Sequence, residues 1–300
     1  MYDTIIIGAG IAGQTAALYA SRKNMKFEIL STNVGGQFLE SGEVLNYPGI
    51  TQTTGAEFSS KMEEQMKFNK VKIIKANVTK IEKMGTNFKV IGAKKTYETR
   101  SVIITTGARP RKLGVEGEDR LSNKGLTYCA ICDGPLFGGM DVAIVGGGDS
   151  ALEAVDFMKN VAKKIYLVVR GKLTAHEYLQ DNIKKIKNLE IIEGDSKEVL
   201  GDKFVSGFKV GTKDGDRDLK VSGVIVEIGR IPNTDAFTDF VKVDEHKHIE
   251  IDCTTKASIP GIFAAGDCAS GHEYQYVIAA GQGCMAVLKA SRYLARKQGE

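Results

Sequence analysis

No apolar run in this 300-residue chain approaches the ~20 residues that span a bilayer, so no membrane partner is expected. The start, Met1-Tyr-Asp-Thr-Ile-Ile-Ile-Gly8, has no basic leader, apolar h-region or cleavage site, so a cytoplasmic protein is expected. Five cysteines are too few for a secreted disulfide scaffold. In a reducing compartment, the pair Cys129-Ala-Ile-Cys132 is then either redox-active or metal-binding. Zinc would want a second ligand pair at matching spacing. Cys253, Cys268 and Cys284 stand alone, and His176, His246, His248 and His272 lie far from Cys129 in sequence, so no metal is expected. A strong charge bias is missing too, since 41 Lys and Arg face 37 Asp and Glu for a net charge of +4. Lys94-Lys95 and Lys184-Lys185-Ile-Lys187 read as solvated faces, and no nucleic-acid partner is expected. The mild basicity favours encounter with an acidic protein.

A hydrophobic content of 42% with 26% charged residues fits a globular protein, and the length fits two domains. Thr4-Ile-Ile-Ile is a short β-branched run ending on glycine, which predicts a buried strand. Ile11 to Arg22 is Ala-rich and predicts a helix, and Phe27-Glu-Ile-Leu30 predicts the next strand. The glycines of Gly8-Ala-Gly10-Ile-Ala-Gly13 fall at the first strand-to-helix turn of this βαβ unit. That context turns a bare Gly-x-Gly-x-x-Gly into a dinucleotide site. The phosphates would meet unpaired N–H groups at the helix start.

The pattern then repeats. Asp141 to Val145 predicts a strand, Gly146-Gly-Gly148-Asp-Ser150-Ala151 the loop, Ala151 to Lys159 a helix, and Lys164 to Val169 the following strand. Duplication of this kind organises the whole chain. Strands are also predicted around Val71 to Ile74, Phe88 to Ile91, Val102 to Thr105, Glu190 to Ile192, Phe208 to Val210, Val224 to Ile228 and Ile262 to Ala265. Asn77 to Glu82 alternates and predicts sheet-edge hairpins, and Ile278 to Leu294 predicts a long closing helix. The expected fold class is α/β, with two Rossmann-like, three-layer ββα nucleotide-binding domains. The second is inserted in the first: residues 1–112 and 236–300 form one domain, and residues 113–235 form the other and carry the Cys pair. Two dinucleotide loops hold an electron donor and a relay, and a close Cys pair takes two electrons. Together they point to a flavin-dependent dithiol/disulfide oxidoreductase.

The chain resembles the low-molecular-weight thioredoxin reductases, and the related flavoprotein subunit of alkyl hydroperoxide reductase, over essentially its whole length. The carriers are Gly8-Ala-Gly10-x-x-Gly13, Gly35-Gly36-Gln37, Asn46-Tyr-Pro-Gly49, Thr105-Thr106-Gly107-Ala108, Cys129-x-x-Cys132-Asp133-Gly134, Gly146-Gly-Gly148-Asp-Ser-Ala151, Gly229-Arg-Ile-Pro-Asn233 and Ala264-Ala-Gly266-Asp267. The resemblance implies FAD in the first domain, held by Gly8, Gly10, Gly13, Gly35, Gly36, Gln37, Asn46, Val78, Thr106, Gly107, Gly266, Asp267 and Gln275. It implies that Cys129 and Cys132 form the redox disulfide, Cys132 facing the flavin and Cys129 attacking the substrate disulfide as a thiolate. Asp133 is the candidate acid/base for the departing thiolate. Cys253, Cys268 and Cys284 read as packing residues. The family implies a homodimer whose inserted domain moves on two linkers, near residues 110–116 and 230–238, and a thioredoxin or thioredoxin-like partner.

The chain departs from the family at the donor site. NADPH-using members end the strand after the second loop with a His-Arg-Arg run that clamps the 2′-phosphate. Here the strand runs Val169-Arg170-Gly171-Lys172, with one Arg, one Lys and no acid for a ribose hydroxyl. NADPH or NADH, bound by Gly146, Gly148, Ser150, Ala151, Arg170 and Lys172, is the expected donor. Reduced ferredoxin or a deazaflavin (F420) is the alternative, and Tyr274, which stands where relatives carry a basic residue, belongs to it as a residue that would stack near the flavin. Other readings are a hydroperoxide-reductase-type flavoprotein, disfavoured because the chain starts at the FAD loop, and a flavin redox sensor without turnover. A ferredoxin–NADP reductase of this fold would lack the Cys pair.

Overall fold

The computed structural model describes residues 1–41, 43–271 and 273–297, so His272 lies outside the described residues. The chain forms two compact units, Met1–Arg109 with Ile231–Glu300, and Pro110–Arg230. The crossings fall within a few residues of the Gly-Ala-Arg-Pro and Gly-Arg-Ile-Pro stretches. Each unit secures its own side: Asn233 N–H donates to Gly107 O at 2.9 Å in the first, and Arg111 N–H to Gly229 O at 2.9 Å in the second.

The first unit is built on a five-stranded parallel sheet. Strand Thr4–Ile7 is central, pairing with Phe27–Ser31 on one side and Val102–Ile104 on the other. Ile73–Lys75 and Ile262–Ala264 close the edges. A strand buried on both faces must be apolar throughout, which is why Ile5 and Ile6 are both fully buried. Ile6 points into a helix layer with Ala16 and Ala17 of Ile11–Arg22 and Ala286 and Val287 of Tyr276–Lys297. Ile5 and Ile7 point the other way, onto Ile81, Phe88 and Val90 of a three-stranded antiparallel sheet, Val78–Met84, Asn87–Gly92 and Thr96–Thr99.

The second unit repeats this plan. Its parallel sheet runs in the order Leu126–Thr127, Gly223–Val226, Asp141–Val145, Lys164–Val169, Leu189–Glu193. Val142 and Ile144 pack on Ala151, Leu152 and Val155 of the helix Asp149–Met158. Ala143 and Val145 face Val199, Phe208 and Val210 of the antiparallel sheet Asp195–Leu200, Gly207–Thr212, Gly215–Leu219. Alternation along one central strand thus builds both cores of each ββα unit. The loop at the C-terminal end of that strand becomes the binding crevice. Among the described residues, no helix is long and apolar enough to cross a membrane.

Candidate active site

In the first unit, the glycine loop is fixed by the backbone beneath it. Gly8 has φ +107°, and a Cβ there would run into the Thr105 carbonyl; one on Gly13 would run into the Gly8 carbonyl. Gly10 differs, since a Cβ on it would meet no heavy atom within 4 Å. It starts the helix Ile11–Arg22 with no side-chain cap, leaving the first N–H groups for a ligand. The loop lines a cavity of about 480 Å³. Gly35, Gly36, Gln37 and Val78 line it from one side; Thr106, Gly107, Gly266 and Asp267 line it from the other. Gln37 donates to the Ala108 carbonyl and lies 3.5 Å from Asp267 Oδ2. Thr106 Oγ1 is buried and, among the described residues, has no oxygen or nitrogen hydrogen-bond partner, with the Cys268 thiol beside it. A buried hydroxyl with no oxygen or nitrogen partner and open space above Gly10 are what a dinucleotide would satisfy and fill, so the residues fit FAD.

Gly13 sits under this loop and does not line the cavity. Asn46 and Gln275 do not line it either; they meet each other, Nδ2 to Oε1, at 3.4 Å. Ser31 stands where a dinucleotide strand often ends in an acid, and its Oγ accepts the Ala9 N–H at 3.1 Å. Tyr274 Oη lies 2.9 Å from Nε2 of the buried His248.

The Cys pair lies in the second unit. Cys129 is extended and caps the four-residue helix Ala130–Asp133, its sulfur accepting the Cys132 N–H at 3.2 Å. The two cysteines are joined as a disulfide, with Cα atoms 5.3 Å apart. Thr127 Oγ1 accepts the Cys129 N–H at 3.2 Å and donates to the Asp133 carboxyl. Burial raises the Asp133 carboxyl above the usual range, and the Thr127 hydrogen bond offsets part of that rise. Tyr128 Oη donates to Glu118 Oε1 at 2.9 Å, and the Glu118 carboxylate also accepts the Leu113 and Gly114 N–H groups at 2.7 and 2.8 Å. Glu227 Oε1 accepts the Ala130 N–H at 3.3 Å. Burial pushes its carboxyl up to about 7. Thr127, Glu118 and Glu227 were not anticipated from sequence, because none carries a local motif. Cys253, Cys268 and Cys284 are free thiols, and the buried Cys268 is raised by desolvation. Among the described residues, no group of three or more His, Cys, Asp and Glu could hold a metal ion.

The second glycine loop lines a cavity of about 580 Å³. Gly146 has φ +146°, and a Cβ there would strike the Glu227 carbonyl and lie 2.9 Å from Ala151 Cβ. Gly148 starts the helix Asp149–Met158 without a side-chain cap, as Gly10 does in the first unit. Gly146, Gly148, Ser150 and Arg170 line the cavity; Ala151 lies buried behind the loop, and Lys172 does not line it. Arg170 is largely exposed and its Nε pairs with Asp195 Oδ1 at 3.1 Å. Asp149 pairs with His176 Nδ1 at 2.6 Å, and the backbone and side-chain hydrogen bonds from His176 lower the Asp149 carboxyl.

Two glycine-loop units, one with an uncapped helix start under open space in its cavity and the other carrying a redox-capable disulfide, define a nucleotide-dependent disulfide oxidoreductase. Residues 2–283 match the pyridine nucleotide-disulphide oxidoreductase model, and the chain belongs to that family. It is 40% identical over 301 residues to the thioredoxin reductase of Listeria monocytogenes, covering 98% of this chain and 94% of that one. The thioredoxin reductase structure from Streptococcus pyogenes matches with a TM-score of 0.93 at 38% identity, over 99% of both chains. A ferredoxin-flavin thioredoxin reductase from Clostridium acetobutylicum matches with a TM-score of 0.57 at 32% identity, over 100% of this chain and 99% of that one.

Proposed function

We propose that this flavoenzyme reduces the disulfide of thioredoxin or a thioredoxin-like protein, through FAD and the Cys129–Cys132 pair. The observation that carries the reading is the disulfide itself, on a turn whose half-buried Asp133 carboxyl is raised. FAD is held by the cavity over Gly8 to Gly13, with Gly35, Gly36, Gln37, Val78, Thr106, Gly107, Gly266 and Asp267 around it and Asn46 and Gln275 outside the lining. Bound there, it supplies a two-electron relay between the donor and the disulfide. Reduction of Cys129–Cys132 takes two electrons and two protons and gives a dithiol. The Cys129 thiolate then attacks the partner disulfide, and a mixed disulfide forms as the first partner thiolate departs. Cys132 attacks Cys129 sulfur, restoring Cys129–Cys132 and releasing the partner as a dithiol. Asp133 holds the proton that the leaving thiolate takes. The assembly is a cytoplasmic homodimer.

The donor is NADPH or NADH, bound at Gly146, Gly148, Ser150 and Arg170, with Lys172 nearby in sequence. The loose surroundings of Gly148, where a Cβ would meet only Thr174 Oγ1 at 3.9 Å, and the uncapped helix behind it support a nucleotide. The pairing of Arg170 with Asp195 supports the second reading, a ferredoxin or deazaflavin donor, because it gives the lone strand-end arginine a partner other than a 2′-phosphate. Surface pairs of this kind are worth only about 0–1 kcal/mol, so a phosphate could still displace Asp195. Anaerobic bleaching of the oxidised flavin by NADPH, NADH, reduced deazaflavin and reduced ferredoxin, each added alone, decides between them. Bleaching by either nicotinamide supports the first reading; bleaching by ferredoxin or deazaflavin alone overturns it.

A further inference from the structure

Glu227 follows the strand Gly223–Val226, and its own N–H donates to Val145 O at 2.8 Å beside the second glycine loop. It lines the cavity of that loop together with Gly146 and Gly148. Its Oε1 also accepts the N–H of Ala130, the residue that separates Cys129 from the rest of the redox turn, at 3.3 Å. One residue therefore borders the donor cavity and holds the Cys-x-x-Cys turn, its backbone against the glycine loop and its carboxyl on Ala130. The thiol–disulfide steps give it no task, since Asp133 supplies the proton.

We propose that Glu227 is a positioning residue that ties the Cys129–Asp133 turn to the donor cavity, and that its charge sets how readily the Cys129–Cys132 pair accepts electrons. The proposal rests on reading that pair as the redox centre. Ionised, Glu227 is a charge-assisted acceptor for Ala130 N–H and places a negative charge beside the turn where a thiolate forms. Protonated, it withdraws that charge. Burial raises the carboxyl most, Glu153 on the helix Asp149–Met158 raises it further, and Arg230 and the Ala130 N–H lower it, leaving it near neutral pH. Asp133, on the turn itself, is also raised by burial. Adding two electrons and two protons to the disulfide and then losing one thiol proton puts a thiolate and Glu227 in competition. The ionised carboxyl disfavours the reduced pair, so its effect belongs to the alkaline side.

The test equilibrates the FAD-loaded enzyme with mixtures of reduced and oxidised dithiothreitol, and counts Cys129/Cys132 thiols by alkylation and peptide mass. Wild type is compared with Glu227→Gln, which keeps an acceptor for Ala130 N–H and cannot ionise. The expected result is a reduction equilibrium constant roughly three- to ten-fold larger in the variant near pH 8, and within about two-fold of wild type near pH 6. The same factor at both pH values is a merely structural effect and overturns the proposal. A pair that does not exchange with dithiothreitol in either protein overturns the redox-centre reading itself. If Glu227→Gln does not fold, carbon-13 labelling of glutamate carboxyls in wild type replaces it, since Asp133 is then silent. The glutamate that titrates near neutral pH should titrate at higher pH in the reduced enzyme, and an unmoved midpoint overturns the proposal.

Discussion

Thr127 and Asp133 show how two side chains set one proton affinity. Burial raises the Asp133 carboxyl and so keeps its proton available, while the Thr127 hydroxyl stabilises the charged form and works against that rise. Thr127→Val removes the donor at nearly constant volume. If partner-disulfide reduction draws its proton from Asp133, as proposed, its rate should then fall at a higher pH than in wild type, because the carboxyl rises further. A pH–rate profile with its descending limb unmoved or moved to lower pH would sink this account. Asp133→Asn keeps the shape and loses the proton, so disulfide reduction should drop roughly 10²- to 10⁴-fold while donor-driven flavin bleaching keeps its wild-type rate. Stopped-flow traces of the two half-reactions separate these effects. The raised carboxyl of Glu227 implies a stability contribution whose sign follows from the direction of the shift. Its native carboxyl is raised from 4.5 to about 7, so the native state holds the extra proton in that window. The contribution is fully present below the unfolded value and is lost as pH rises through about 7. Denaturant unfolding should therefore show wild type losing on the order of 2–3 kcal/mol relative to Glu227→Gln between pH 4.5 and 8.

At the scale of elements, two glycines of the first loop make opposite predictions although they stand three residues apart. Gly13→Ala forces a Cβ into the Gly8 carbonyl, so the apo protein should lose stability and FAD together. Gly10→Ala meets nothing within 4 Å, so apo melting should stay near wild type while FAD affinity falls at least tenfold, about 1.4 kcal/mol. Thermal unfolding of apo protein with FAD titration distinguishes the pair; equal stability loss in both variants would refute the assigned roles. These loops were legible in sequence because they combine a local pattern with a β-branched strand before and an Ala-rich helix after. The helix Ile11–Arg22 and the strands Asp141–Val145 and Lys164–Val169 have the expected bounds. The helix Gly55–Phe68 was not anticipated, although Thr54 and Glu57 form a capping box, because most of its positions are exposed and polar and lend little apolar period. The strands Asp195–Leu200 and Gly215–Leu219 escaped for a similar reason: their outer positions are charged. The pairings Arg170–Asp195 and Ala130–Glu227 join residues far apart in sequence, and only the fold brings them together.

At the scale of the whole molecule, electrons must enter through one set of residues and leave through another, and the two cysteines make those routes separable. In Cys132→Ser, Cys129 can still attack a partner disulfide, but the second thiol that would resolve the mixed disulfide is gone. Incubation with oxidised thioredoxin after reduction of Cys129 should then trap a covalent one-to-one complex, visible by mass and released by dithiothreitol. Cys129→Ser lacks the attacking sulfur, so it should form little complex and reduce no partner disulfide, while the donor still bleaches its flavin. Trapping by Cys129→Ser instead would exchange the two roles. Trapping by neither, with flavin bleaching intact in both, would favour a flavin protein that senses redox state without turning over. The net charge of +4 adds a check on the trapped complex. If an acidic face of the partner is steered to this chain, its formation rate should fall several-fold between low salt and about 0.5 M salt, where charges are screened within a few ångströms. The dissociation of the covalent species cannot depend on salt, so a salt effect confined to the forming step locates the electrostatics in the encounter and leaves the sulfur chemistry to Cys129, Cys132 and Asp133.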